Sequence, residues 1–172
     1  VEGDGWQDIV LTRGSNPPLY WRNLGLNETG QSHFEHVPLS GVSKPAYAMN
    51  WADLDADGDL DLVTGSYDAA LMVERANDFR FGQGGGVFVY YQQEDETWQA
   101  QQLAEKAQAL ALSLADFNGD DQPDIAVGND FDLPDGYWEH TTEGWQETTP
   151  FETTTQPGRP GAAYAIGSGV SS

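Results

Sequence analysis

Cysteine is absent from the 172-residue chain, so no disulfide can cross-link it. Its loops must be secured by packing, hydrogen bonds or bound ions. Cationic residues are scarce as well. Seven Lys and Arg stand against 28 Asp and Glu, which leaves a formal net charge of −21. That balance excludes a nucleic-acid backbone as partner, because such binding requires a basic surface. It also argues against electrostatic docking on anionic membranes. No apolar run approaches the roughly 18 residues of a membrane span. A sustained 3.6-residue apolar period is missing too. The segment 97–115 comes nearest, being rich in Ala, Leu and Gln. Histidine occurs only as His33, His36 and His140. His33 and His36 are three apart in a predicted strand, so they face opposite ways and do not share a metal. No serine or cysteine nucleophile constellation is present, and no catalytic residue is assigned.

What the chain has in abundance is turn formers and acid. Twenty Gly and nine Pro indicate many turns between short strands. The acid is concentrated in Asp53-Leu54-Asp55-Ala56-Asp57-Gly58-Asp59-Leu60-Asp61, five carboxylates in nine residues. Like charges this close repel, and the spacing indicates what offsets the repulsion. Side chains at positions 1, 3, 5 and 9, which are Asp53, Asp55, Asp57 and Asp61, can converge on one point. Gly58 at position 6 permits a sharp turn, and Asp59 at position 7 can add its carbonyl. An all-oxygen cage of this kind suits a hard cation with six to eight ligands, calcium before magnesium. The loop departs from an EF-hand, which needs Glu at position 12 where this chain has Thr64, and which is flanked by helices. Here the loop feeds Leu62-Val63-Thr64-Gly65, which reads as a strand.

The loop recurs. Asp116-Phe117-Asn118-Gly119-Asp120-Asp121-Gln122-Pro123-Asp124 repeats it 63 residues on, with Asp116, Asn118, Asp120, Gln122 and Asp124 at the ligand positions. It too runs into an apolar strand, Ile125-Ala126-Val127-Gly128. A third copy at the N-terminus, Glu2 to Asp8, begins at position 3, with Glu2, Asp4, Trp6 and Asp8 at the ligand positions. Near the C-terminus, Ala163-Tyr164-Ala165-Ile166-Gly167-Ser168-Gly169 is similar to Ala46-Tyr47-Ala48-Met49-Asn50-Trp51-Ala52, the lead into the central loop. Both ends therefore read as interrupted repeats of something longer. Each repeat carries two further strands. The predicted third strands are at 19–23, 87–92 and 136–140, and the fourth at 32–37, 97–102 and 144–148. Four antiparallel strands per unit of about 50 residues are the pattern of a propeller blade. An insertion from Tyr67 to Gly86 ends in a glycine run and lacks the strand-loop-helix setting of a nucleotide site. Aromatic pairs recur at equivalent places (Tyr20-Trp21, Tyr90-Tyr91, Tyr137-Trp138, with Phe34, Trp98 and Trp145), which predicts packing within the repeat. Asn27-Glu28-Thr29 fits a glycosylation sequon by pattern.

These repeats resemble FG-GAP/VCBS repeats, whose loops read D-x-D/N-x-D/N-G-x-x-D and lead into an apolar strand ending in Gly. The third repeat is also similar to the variant found beside ASPIC/UnbV domains. The chain departs from the pattern at Glu2, and at Asp121, where Gly is usual. The resemblance implies an all-β fold of about three four-stranded β-propeller blades, with calcium loops between the first and second strands. The expected divisions are residues 1 to about 44 (first strand missing), about 45–107, about 108–160, and the opening strand of a further blade at 161–172. Two complete calcium loops and one truncated loop are expected, with structural calcium. Three blades do not close a ring, so the remaining blades or a partner chain are expected to cover the open edges. The implied function is a calcium-stabilised extracellular, cell-surface or periplasmic module for protein or glycan binding and adhesion. Two alternatives are the propeller part of a carbohydrate-active lyase or hydrolase, and a structural subunit of a surface filament or envelope complex. For the enzyme alternative, Tyr67, Arg75 and Arg80 in the insertion are too thin a set.

Overall fold

The computed structural model describes residues 4–69, 85–130 and 133–149. Glu2, Arg75, Arg80, most of the insertion and the predicted strand at 163–169 lie outside the described residues. Among the described residues are eleven strands in three antiparallel sheets. The first sheet is β1 (Ile9–Leu11), β2 (Leu19–Leu26) and β3 (Ser32–Val37). The second is β4 (Ala48–Ala52), β5 (Asp61–Gly65), β6 (Val87–Gln92) and β7 (Trp98–Ala104). The third is β8 (Ala109–Ala115), β9 (Asp124–Asn129), β10 (Gly136–Thr141) and β11 (Gly144–Glu147). In each sheet, strands adjacent in sequence are adjacent in space. The three sheets span residues 9–37, 48–104 and 109–147, and the acidic loops join β4 to β5 and β8 to β9.

The sheets pack face against face, and the period-2 alternation of the inner strands explains why. In β6, Val87 and Val89 enter one apolar cluster while Phe88 and Tyr90 enter another. β5 divides in the same way, with Val63 on one side and Leu62 on the other. The second sheet is thus apolar on both faces and is sandwiched between the other two. The cluster shared with the third sheet includes Ile125, Val127 and Trp138; the one shared with the first includes Tyr20, Leu39 and Val42. β4 and β8 lie side by side, and Asn50 Nδ2 donates to the Leu112 carbonyl at 3.3 Å between them. Gly65 has to be small, since a Cβ there would sit 2.5 Å from that of Ala109.

Most of the recurring aromatics are packing residues. Tyr20, Tyr90, Trp98, Tyr137 and Trp138 are buried, although Trp21 is 37% exposed and meets the His36 ring at a tilt. His33 and His36 are exposed on β3. The connector after β3 is locked by Trp98 N–H donating to the Ser40 carbonyl at 2.8 Å. Beside it Gly41 has φ +104°, a left-handed conformation, with the Trp98 carbonyl oxygen 2.1 Å from where a Cβ would be.

A second polar knot ties down the base of the insertion. Ser66 Oγ donates to Asp68 Oδ1 at 2.6 Å, and Asp68 also accepts from the Gly85 and Ala107 amides. Asp68 and Ser66 are fully buried. Buried carboxylates are kept when their oxygens are satisfied in this way.

Candidate metal centre

The loop between β4 and β5 curls by alternating backbone conformation. Ala56 at position 4 has φ 63° and Gly58 at position 6 has φ 97°. The second loop uses the same two positions with the glycine exchanged: Gly119 has φ 85° and Asp121 has φ 67°. Gly5, at position 6 of the N-terminal copy, has φ 88°. The unusual residue Asp121 therefore adopts the turn that its position requires, as short polar residues can at modest cost.

Within the central loop, Asp53, Asp55 and Asp61 each bring a carboxylate oxygen within 4.8 Å of the others. This is the one such group of three acidic or metal-ligating side chains among the described residues. Asp57 and Asp59 are outside it. Asp57 Oδ1 accepts the Asp59 amide at 2.8 Å, and both residues are exposed. Gly58 N–H donates to Asp53 Oδ2 at 3.1 Å, while Asp53 Oδ1 is buried without a hydrogen-bond partner. A buried, unpartnered carboxylate oxygen is costly unless a cation faces it. Asp61, the closing residue, is 1% exposed. Its oxygens accept N–H groups from Leu54 and Gln92, both at 2.9 Å. Burial pushes its carboxyl up to about 6, against the pull of those two bonds and with help from Asp55 and Asp57. The Asp55 carboxyl is also raised, by burial and then by the charges of Asp57 and Asp53. Repulsion between carboxylates and loss of water both favour neutralisation, by a proton or by a metal ion.

The other two loops satisfy their carboxylates differently. Asp116 accepts the amides of Gly119, Asp120 and Asp121 at 2.6, 3.1 and 3.0 Å. Those bonds hold its carboxyl below the usual range. Asn118 and Asp120 are hydrogen-bonded to each other, and Gln122 donates its amide to Asp120. Asp124 is buried and accepts from Phe117 N–H, His140 N–H and the Tyr137 hydroxyl. In the N-terminal copy, Asp8 accepts from Asn23 N–H and the Tyr20 hydroxyl, and Asp4 caps the Trp6 amide. Trp6 itself is 48% exposed.

The position-9 aspartate therefore has one role in all three repeats: it pins its loop to the strand paired with the loop's exit strand (β2, β6 or β10), through the amides of Asn23, Gln92 and His140. Three residues before those amides stand Tyr20, Val89 and Tyr137. The two tyrosines hydrogen-bond the aspartate; Val89 cannot. Residues 1–64 match the family model described as FG-GAP-like repeat. The match takes in the whole Asp53–Asp61 loop. No curated protein and no solved structure matches the chain. Among the described residues, no helix is long and apolar enough to cross a membrane.

Proposed function

We propose that the chain is a calcium-braced segment of a β-propeller, serving outside the cytoplasm as a binding or adhesion module for a protein or glycan. The observation that carries the calcium reading is the convergence of Asp53, Asp55 and Asp61 around a buried, unpartnered Asp53 oxygen. These residues fit a hard cation, being all-oxygen, acidic and mutually repulsive. Asp53, Asp55 and Asp61 would hold the ion, and Asp57 with the Asp59 carbonyl would be drawn in from the exposed side of the loop. Bound there, calcium would neutralise the repulsion and fix the turn between β4 and β5. The stabilisation grows as the logarithm of free calcium over its dissociation constant. In the loop Asp116–Asp124 the backbone amides already occupy the Asp116 oxygens, so Asp116, Asn118, Asp120, Gln122 and Asp124 form the weaker site. The N-terminal set Glu2, Asp4, Trp6 and Asp8 is weaker again.

The propeller reading is supported by three meandering sheets stacked face to face with β4 and β8 side by side. Further blades or a partner chain would cover the open face of the first sheet, where Ile9 and Leu11 are 42% and 49% exposed. The test is calcium titration followed by thermal melting and calorimetry. Calcium should raise the melting temperature and chelation should reverse it. Asp55→Ala with Asp57→Ala should remove most of the shift. A melt indifferent to chelation would sink the calcium reading.

A further inference from the structure

The side of β6 and β7 that faces the third sheet changes character along its length. Near β5 it is apolar, with Val87 and Val89 in the core. Further along, the same face presents Tyr91 and Gln93, with Gln99 across from Tyr91 and Gln101 across from Val89. Tyr91 pairs directly with Gln99, which puts both on one side of the sheet. Opposite stand His140 and Trp145, cross-strand partners whose rings stack 4.5 Å apart. Between them lies an open groove of about 530 Å³, which ends at Asp55 of the acidic triad. That volume is within the range of about 300–1,000 Å³ typical of small-ligand sites.

The groove is organised by hydrogen bonds. Trp145 Nε1 donates to the Tyr91 hydroxyl at 2.7 Å, and that hydroxyl reaches Gln101 Oε1 at 3.5 Å. Gln93 is folded back onto the carbonyls of Tyr91 and Gln92. Gln99 makes no side-chain hydrogen bond within the described residues and is exposed. His140 Nδ1 is buried without a partner. The walls thus offer amide donors and acceptors, an imidazole and aromatic edges, and no cation. With a chain charge of −21, an anionic ligand would be repelled. Hydroxyl groups, which donate and accept together, match amides of this kind.

From this juxtaposition we infer that the groove between β7 and β10, lined by Tyr91, Gln93, Gln99, Gln101 and His140, binds a neutral oligosaccharide. The inference rests on the binding-module reading above, for which it names a ligand class and a place. It does not require that the ion at Asp53, Asp55 and Asp61 touch the sugar.

The test is isothermal titration of the calcium-loaded protein with cellohexaose, xylohexaose, mannohexaose and laminarihexaose, and with hexagalacturonate as an acidic counterpart. At least one neutral sugar should bind, and more tightly than hexagalacturonate. The double variant Gln99→Ala, Gln101→Ala should bind it at least about tenfold more weakly. Its thermal melt and its calcium shift should be unchanged, since both side chains are exposed. Binding to none of the four neutral sugars, tightest binding to hexagalacturonate, or full binding by the double variant would each overturn the inference. The melts keep the two readings apart: a melt indifferent to calcium with sugar binding intact fails only the calcium reading, and the reverse pattern fails only the groove.

Discussion

Asp61 should make the calcium-free protein less stable as pH rises from about 4 to about 6, the reverse of ordinary acid denaturation. The perturbation is removal of calcium by a chelator. The Asp61 carboxyl is then buried and charged at neutral pH, and burial lifts it from 3.8 to about 6. In that window the folded protein holds a proton that the unfolded chain has lost. Stability from this group is therefore present below the unfolded value and declines as pH climbs through the folded one. At 1.36 kcal/mol per unit the shift corresponds to about 3 kcal/mol, an upper figure because Asp55 at the loop mouth is open to water. Asp116 and Asp8 act with the opposite sign, in a lower window. Backbone amides led by that of Gly119 depress Asp116. For Asp8, burial pulls upward but the Asn23 amide and other partners outweigh it. Both lose their contribution only as pH falls through those depressed values. The net charge of −21 repels itself more as pH rises, in the same direction as Asp61. The assay is therefore site-specific: a carbon-13 titration of the Asp61 carboxyl in chelator, with denaturant melts of wild type and Asp61→Asn. Asp61 should titrate near 6 without calcium, and below the ordinary aspartate value with it. The Asn variant should show a shallower pH slope. An Asp61 that titrates at or below 3.8 in the calcium-free protein would refute the reasoning.

Further expectations concern packing and loop geometry. Ile125→Ala should cost about 2–5 kcal/mol in denaturant unfolding at constant m-value, since the side chain is fully buried between two sheets. Gly41→Ala should cost at least about 2 kcal/mol, because the left-handed backbone and the Trp98 carbonyl both oppose a Cβ. A variant as stable as wild type would show that the connector after β3 is free to move. Asp121→Gly should raise stability by about 0.5–1 kcal/mol by relieving φ 67°, and calorimetry should find the calcium affinity of that loop no lower.

Strand positions were legible because they rest on local signals. Short apolar runs mark Val87–Gln92 and Asp124–Asn129, and the acidic loops recur before β5 and β9. Both third strands and fourth strands fall within a residue or two of their predicted places, apart from β2, which continues past Asn23 to Leu26. The ligand set was less legible. All five acids of the central loop fit the spacing, but the structure gathers Asp53, Asp55 and Asp61. Asp61 is placed by the Gln92 amide, 31 residues away in sequence, so no local pattern could rank it above Asp57. The buried Ser66–Asp68 pair gave no warning in the sequence beyond two polar residues after a strand.

From the sequence alone come the repeat, its period and the acidic loops, because each is a property of neighbours along the chain. Turn positions follow as well, since a left-handed residue is needed at position 6 whether it is Gly or Asp. Only the tertiary structure decides how the three repeats differ. Val89 stands where the other sheets have a tyrosine that donates to the closing aspartate, and so Asp61 is left with two amide donors and a carboxyl raised to about 6. The groove beside it is likewise a product of two sheets: Gln99 and Gln101 are ordinary exposed residues until His140 and Trp145 are set across from them.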